Sequence, residues 1–281
     1  MVVAMVEAEA NRFMAPGYEV PYWANQDKVI YPGDTKAEEN AWNAMVLHVA
    51  VAMMPKHPNA QRWRQAASEL MVSAFSLKKD MEANTTVLDG KPVREWLKGY
   101  NLRDDGALIN HNIVHTDYMT CVSQNCRAFI TQSLAGQPVS ETADFNADLI
   151  YRTLVMQQWP SAPYQKPGGT MYIPGKPEVY YPTGTDWSRY RFDIYYLLDV
   201  EADLLGWDRG LPQHTADWMR LRARKMLEMQ MRHEDRRMFA AGEFDTYSGR
   251  EPMAAWMTAD AFLLHWLHAC DAISEKKNWL K

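Results

Sequence analysis

Cysteine is scarce: Cys121, Cys126 and Cys270 are the only three in 281 residues, an odd count without Cys-x-x-Cys spacing. That excludes a disulfide framework and a cysteine-built zinc knuckle. On one helix Cys121 and Cys126 would stand about 140° apart around the axis, so buried free thiols are expected. Long apolar runs are also missing. A bilayer span needs roughly 20 apolar residues, and the stretch from Met253 to Cys270 is interrupted by Asp260, His265 and His268, so no membrane partner is expected. Positive charge is not in excess: 30 Lys and Arg against 35 Asp and Glu leave a net charge of −5. This excludes a broad nucleic-acid surface, which needs clustered cations to displace phosphate counterions. The basic run Arg220, Arg222, Arg224, Lys225, Arg232, Arg236 and Arg237 reads as a solvated helix face, because Glu228, Glu234 and Asp235 are interspersed. The opening MVVAMVEAEANRF has no basic stretch leading into a continuous apolar segment. It does not read as a secretory signal, which suggests a cytoplasmic protein, or a periplasmic or secreted one in mature or trimmed form.

A series of period-2 strands is missing too, and what fills the chain is helical periodicity. With 47% hydrophobic residues, 281 residues can bury a sizeable core, taken here as one domain over 1–281. Helices are expected over Val2–Phe13, after Asp34 or Thr35 as N-cap, from Asn59 to about Lys79, around Val93–Leu97, and over Tyr118–Ala135. Others are expected over Ser140–Trp159, Ser188–Leu205, Thr215–Arg232 and Pro252–Ile273. Pro55 and Pro58 close the first clear αα-hairpin. Met219, Met226, Met229 and Met231 read as adaptable core packing, and His265 and His268 as hydrogen-bonded core or rim histidines. The architecture is all-α, a chain of hairpins of roughly 40 to 50 residues that must close into a ring or run on as a solenoid to bury both faces. A ring gathers its long loops on one rim.

Those loops hold the chemistry. After the turn signal Asp105-Gly106, the chain packs Asn110, His111, Asn112, His115, Asp117 and Tyr118 into nine residues. From Pro160 to Trp187 prolines and glycines recur among Tyr164, Tyr172, Tyr180, Tyr181 and Trp187, too aromatic for disorder and too long for a mere connection. A third loop, Phe239–Glu251, carries Glu243, Asp245, Tyr247 and Arg250. His111, His115 and Asp117 form an HxxxHxD pattern, and histidines at i and i+4 on a helix can share a zinc. The intervening base of HExxH is absent, so a metal is not the favoured reading and no cofactor is expected. Glycoside hydrolysis is an alternative, with Glu38 or Glu39, Asp117, Asp186 and Glu243 as possible carboxylate pairs. Acids at 38 and 39 also suit the positive end of a helix.

Three segments, GDTKAEENAW from Gly33, NHNIVHTDYM from Asn110 and YYPTGTDWSRYR from Tyr180, resemble the (α/α) toroid domain of heparinase II/III-like proteins, relatives of polysaccharide lyases. The resemblance implies a toroid with a cleft lined by the 102–118, 160–191 and 239–251 loops. It implies β-elimination on an acidic, uronate-containing poly- or oligosaccharide. In such a reaction a group beside the uronate carboxylate stabilises the developing enolate, a base removes the C5 proton, and an acid protonates the leaving oxygen. By resemblance Asn110 and His111 are neutraliser and base, Tyr118 is the acid or shares the base role with His115, and Tyr181 rivals Tyr118. Trp187, Arg189, Arg191, Glu243, Tyr247 and Arg250 then hold the sugar, arginine because its planar fork grips carboxylate or sulfate twice. These lyases usually carry an all-β domain after the toroid, and no such pattern follows here, which makes a non-catalytic carbohydrate-binding role a further alternative.

Overall fold

The computed structural model describes residues 1–25, 28–29, 33–243 and 250–273, and the chain is mostly helical, with about half of its residues in helices and only short strands. The helices are α1 Val2–Arg12, α2 Ala37–Met53, α3 Ala60–Ala74, α4 Lys78–Ala83, α5 Val93–Trp96, α6 Thr116–Met119, α7 Val122–Leu134, α8 Ala147–Met156, α9 Phe192–Leu205, α10 Thr215–Met231 and α11 Arg250–Ala269. Among the described residues no helix is long and apolar enough to cross a membrane. The chain forms two compact units, one of Met1–Asn112 with Cys121–Ala147, the other of Ile113–Thr120 with the described residues from Asp148 onward.

In the first unit, α2 and α3 pack as the hairpin that Pro55 and Pro58 announce. Small residues let them approach closely: Ala41, Ala44, Leu47, Ala50 and Val51 of α2 are buried, as are Trp63, Ala67, Leu70 and Met71 of α3. Helix α7 covers another side of α2. The expected cap at Asp34 or Thr35 lies one or two residues early, since Lys36 is the N-cap residue. Its N–H goes to a distant partner, the buried Asn101, whose Oδ1 accepts from Lys36 N at 2.9 Å and Trp23 N at 2.8 Å. A second core of Tyr22, Val72, Val93, Trp96, Leu97 and Phe145 fixes α5.

Three expected helices are interrupted, each by a polar side chain that offers the backbone another partner. The helix expected from Asn59 to Lys79 breaks into α3 and α4, where Asp80 Oδ2 accepts from Leu77 N at 2.9 Å. The Ser140–Trp159 segment is helical only over α8. Asn146 takes a left-handed φ of 57° and donates its amide to Phe75 O at 2.8 Å and Asp80 Oδ2 at 2.9 Å. The Tyr118–Ala135 helix is split into α6 and α7, and Thr120 Oγ1 turns back onto Asp117 O at 2.7 Å.

The second unit is built on α9, which packs against α10 and α11 and is buried along almost its whole length. A helix so enclosed must neutralise its acids internally. Asp199 is paired with Arg222 and accepts from Tyr151 Oη at 3.0 Å, while Asp193 accepts from Arg250 Nη2 at 2.8 and 3.1 Å. Arg222 therefore corrects the solvated-face reading of the basic run: it is fully buried, with its guanidinium 4.0 Å from the Tyr172 ring centre. Met226 and Met229 are in the core with Phe192, Met238 and Phe239, but Met231 is exposed. His265 and His268 are exposed, not core, residues. The helix expected from Ser188 starts at Phe192. Cys121 and Cys126 are buried free thiols as expected, and Cys270 is a free thiol at the surface.

Candidate functional site

The polar cluster straddles the point where the chain passes from one unit to the other. Its lead-in follows the sequence closely: Gly106 has φ 79°, its N–H donates to Arg103 O at 2.8 Å, and Asp105 Oδ1 accepts from Ala107 N at 3.1 Å. His111 and Asn112 have φ of 50° and 63°, a left-handed pair that costs a non-glycine residue energy and needs support. In the first unit that support comes from the Gly33 segment. Thr35 N donates to Ile109 O at 2.9 Å and Asn112 N to Gly33 O at 2.8 Å. Gly33 has φ 78°, which strains any other residue, and a Cβ there would lie 1.9 Å from Asn112 Oδ1 and displace that side chain. Asn110 is buried, with Oδ1 accepting from His111 N at 2.9 Å, while His111 is exposed. Two of the three motifs, GDTK and NHN, are thus one local structure.

The remaining half of the cluster, from Ile113 to Thr120, is tied to the 180–195 segment within the second unit. Thr183 Oγ1 accepts from Val114 N at 2.9 Å and donates to Val114 O at 3.3 Å. His115, fully buried, contacts Asp186 Oδ1 through Nε2 at 3.1 Å, and Asp186 is half exposed. The imidazole lies edge-on to Tyr118 and Trp187 at centroid distances of 4.5 and 4.9 Å, and those two rings are 4.6 Å apart. Arg191 places its guanidinium 3.5 Å from the centre of the Trp187 ring.

Beneath this group Asp117 acts as a hub. Its Oδ1 accepts from Tyr195 Oη at 2.7 Å and Tyr181 Oη at 3.1 Å, and its Oδ2 from Thr185 Oγ1 at 3.2 Å. Burial pushes its pKa up, and the Tyr195 hydrogen bond, Arg191 and the other hydroxyls pull the other way. Burial and then the neighbouring Asp117 charge raise the Tyr181 phenol well above its ordinary value. As the third ligand of the HxxxHxD pattern, Asp117 is spent: its oxygens face hydroxyl donors. His115 and Asp186 are the donor atoms that a cation could meet in this part of the unit.

The sugar-holding candidates disperse. Trp187 and Arg191 belong to the aromatic group, and Arg189 is exposed with its guanidinium 4.9 Å from the Tyr181 ring centre. Glu243 is gripped by Arg232 at 2.5 and 2.7 Å and accepts from Ala240 N at 2.9 Å, and the Arg232 hydrogen bond holds its carboxyl below the usual range. Arg250 is buried in its ion pair with Asp193. Tyr247 and Asp245 lie outside the described residues. Sequence reasoning missed Thr185 and Tyr195 and took Asp186 for one of a pair of hydrolytic carboxylates. The Thr-Gly-Thr-Asp run from Thr183 carried a signal, since alternating hydroxyl and carboxylate groups often close turns; Tyr195, inside an apolar helix, carried none. Comparison of the chain with protein families, with curated proteins and with solved structures gives no match.

Proposed function

We propose that this protein is a polysaccharide lyase of the heparinase II/III-like kind, an (α/α) toroid that cleaves an acidic, uronate-containing polysaccharide by β-elimination. The observation that supports it best is the His115–Asp186 contact flanked by Tyr118 and Trp187, with Arg191 over the indole. In this reading the imidazole and carboxylate accept the C5 proton as a pair. Asp186 reaches solvent, and buried His115 takes up the charge that results. Tyr118 protonates the departing glycosidic oxygen. It is preferred to Tyr181 because its ring packs against the His115 imidazole, whereas Tyr181 reaches down to Asp117. The exposed Arg189 offers a partner for the carboxylate of a sugar ring.

Hydrolysis needs two carboxylates placed to flank the scissile bond. The candidates in the second unit are engaged otherwise: Asp117 with three hydroxyls, Glu243 with Arg232 and Asp186 with His115. Glu38 and Glu39 sit in the first turn of α2, bonded to Trp42 and Lys36, as helix-terminal acids do.

The test is incubation with a panel of uronate polymers, following the ultraviolet absorbance of the unsaturated product. Turnover is expected on at least one, and D186N and Y118F should each lower it by a factor on the order of 10²–10⁴, the usual worth of one acid or base. H111A, measured alongside, tests the role implied for that exposed histidine. No unsaturated product on any polymer overturns the proposal; unchanged saccharide binding with no turnover in Y118F argues against a binding-only protein.

A further inference from the structure

The long loop before α9 folds over itself into a walled pocket. Its walls are hydrogen-bonded: Trp159 and Gly169 exchange both backbone bonds at 2.9 Å, Gly168 N donates to Gln165 O at 3.1 Å, and Gln165 N to Pro182 O at 2.8 Å. Tyr180 Oη donates to Gln165 O as well. At position 168 a Cβ would come within 2.8 Å of Trp159 O, so the glycine is required for closure. The volume of this open cleft is about 540 Å³. That lies within the range of roughly 300–1,000 Å³ usual for sites of small organic ligands.

The lining mixes apolar and polar groups, and its charges are of one sign. Lys166, Lys176 and Arg189 face this pocket, and none of its lining residues carries a carboxylate. Gln158, Gln165 and Thr170 add neutral hydrogen-bonding groups. In a chain of net charge −5, three cations converging on one pocket without an acid among them is a local reversal of the overall balance. Tyr181 lines the pocket with its ring beneath Arg189 and sends its hydroxyl to Asp117. One residue therefore belongs to this pocket and to the hub below the His115 group.

We infer that this pocket is an anion-holding subsite for one acidic sugar unit, with Lys166, Lys176 and Arg189 as the charge partners and Gln158, Gln165 and Thr170 as hydroxyl-recognising groups. It rests on the lyase reading for the kind of ligand, but not for its chemistry: the pocket positions a carboxylated or sulfated ring and transfers nothing. All three cations are exposed, so their hold on an anion is screened by salt.

The experiment is titration calorimetry of the intact protein with a short oligogalacturonate, a heparin-derived oligosaccharide and a neutral maltooligosaccharide, at low and high salt. Both acidic arms, or one of them, should bind more tightly than the neutral sugar; which arm binds separates carboxylate from sulfate recognition. The triple variant K166Q/K176Q/R189Q should lose about tenfold or more in affinity, since three exposed ion contacts of up to about 1 kcal/mol each exceed the 1.4 kcal/mol of a tenfold change. Circular dichroism identical to the parent keeps misfolding out of the comparison. Equal binding of the neutral sugar, a triple variant within about twofold of the parent, or no binding of either acidic probe overturns the subsite. Acidic binding that depends on the three cations without any unsaturated product leaves the subsite standing and removes the lyase; turnover with KM unchanged in the triple variant does the reverse.

Discussion

Asp117 is the residue whose replacement tests the architecture of the candidate site most directly. It is fully buried, and three hydroxyls converge on it, from Tyr195 at 2.7 Å, Tyr181 at 3.1 Å and Thr185 at 3.2 Å. Replacing it with alanine leaves the two buried phenols and the Thr185 hydroxyl without their acceptor, at about 1–2 kcal/mol each, so D117A should lose about 3–6 kcal/mol. That is a large share of the roughly 5–15 kcal/mol a folded domain has to lose. The single deletions should rank by bond length: Y195F about 2 kcal/mol, Y181F and T185V nearer 1. Urea unfolding at fixed pH reads the order from midpoints at constant slope. The pH dependence carries a sign. Burial raises the folded pKa of Asp117 above its unfolded value near 4, so the stability it contributes is complete below about pH 4 and is lost as pH rises through the folded value. D117N removes that titration, so its deficit relative to the parent should shrink as pH increases. A loss in D117A below about 1 kcal/mol, or a Y195F midpoint equal to that of the parent, would refute the hub.

Two further perturbations address the interior of each unit. Cutting the buried Asp199–Arg222 pair from one side strands a charge, so R222M should cost about 3–5 kcal/mol and D199N/R222M should recover most of it, as read by urea unfolding. An R222M no worse than the double variant would sink that account. His48, buried in α2 beside Met71 Sδ at 3.2 Å, has its pKa lowered to about 3 by burial, helped by the nearby Arg127 charge. A depressed folded pKa means its share of stability is intact above about pH 6.5 and falls away as acid protonates the unfolded chain. H48L should therefore lose about 2 kcal/mol less than the parent between pH 7 and pH 5, and parallel losses would contradict the burial argument.

Much of the secondary structure is written locally. The α2–α3 hairpin follows from apolar periodicity and two prolines, and the Asp105-Gly106 turn from glycine's access to positive φ. The interruptions at 75–77 and 120–121 rest on bonds only three residues long, Leu77 N to Asp80 and Thr120 to Asp117 O, but the one at 140–146 was not legible, because it depends on a polar side chain finding a partner far away in the chain. Asn146 reaches Phe75 and Asp80, and nothing near residue 146 announces them. The same reason explains Arg222, which shares its charge pattern with exposed neighbours but meets Asp199 and two tyrosine rings only after α9 and α10 pack.

For the candidate site the division is equally physical. The sequence by itself determined which side chains are concentrated: the histidines, Asp117 and Tyr118 in one short run, and the Thr-Gly-Thr-Asp-Trp segment in another, because residue type and spacing are local properties. Only the tertiary structure decided their occupations. It put Asp186 on His115, spent Asp117 on three hydroxyls and buried Arg250 against Asp193, because a hydrogen bond or ion pair depends on separation in space, which linear order does not set.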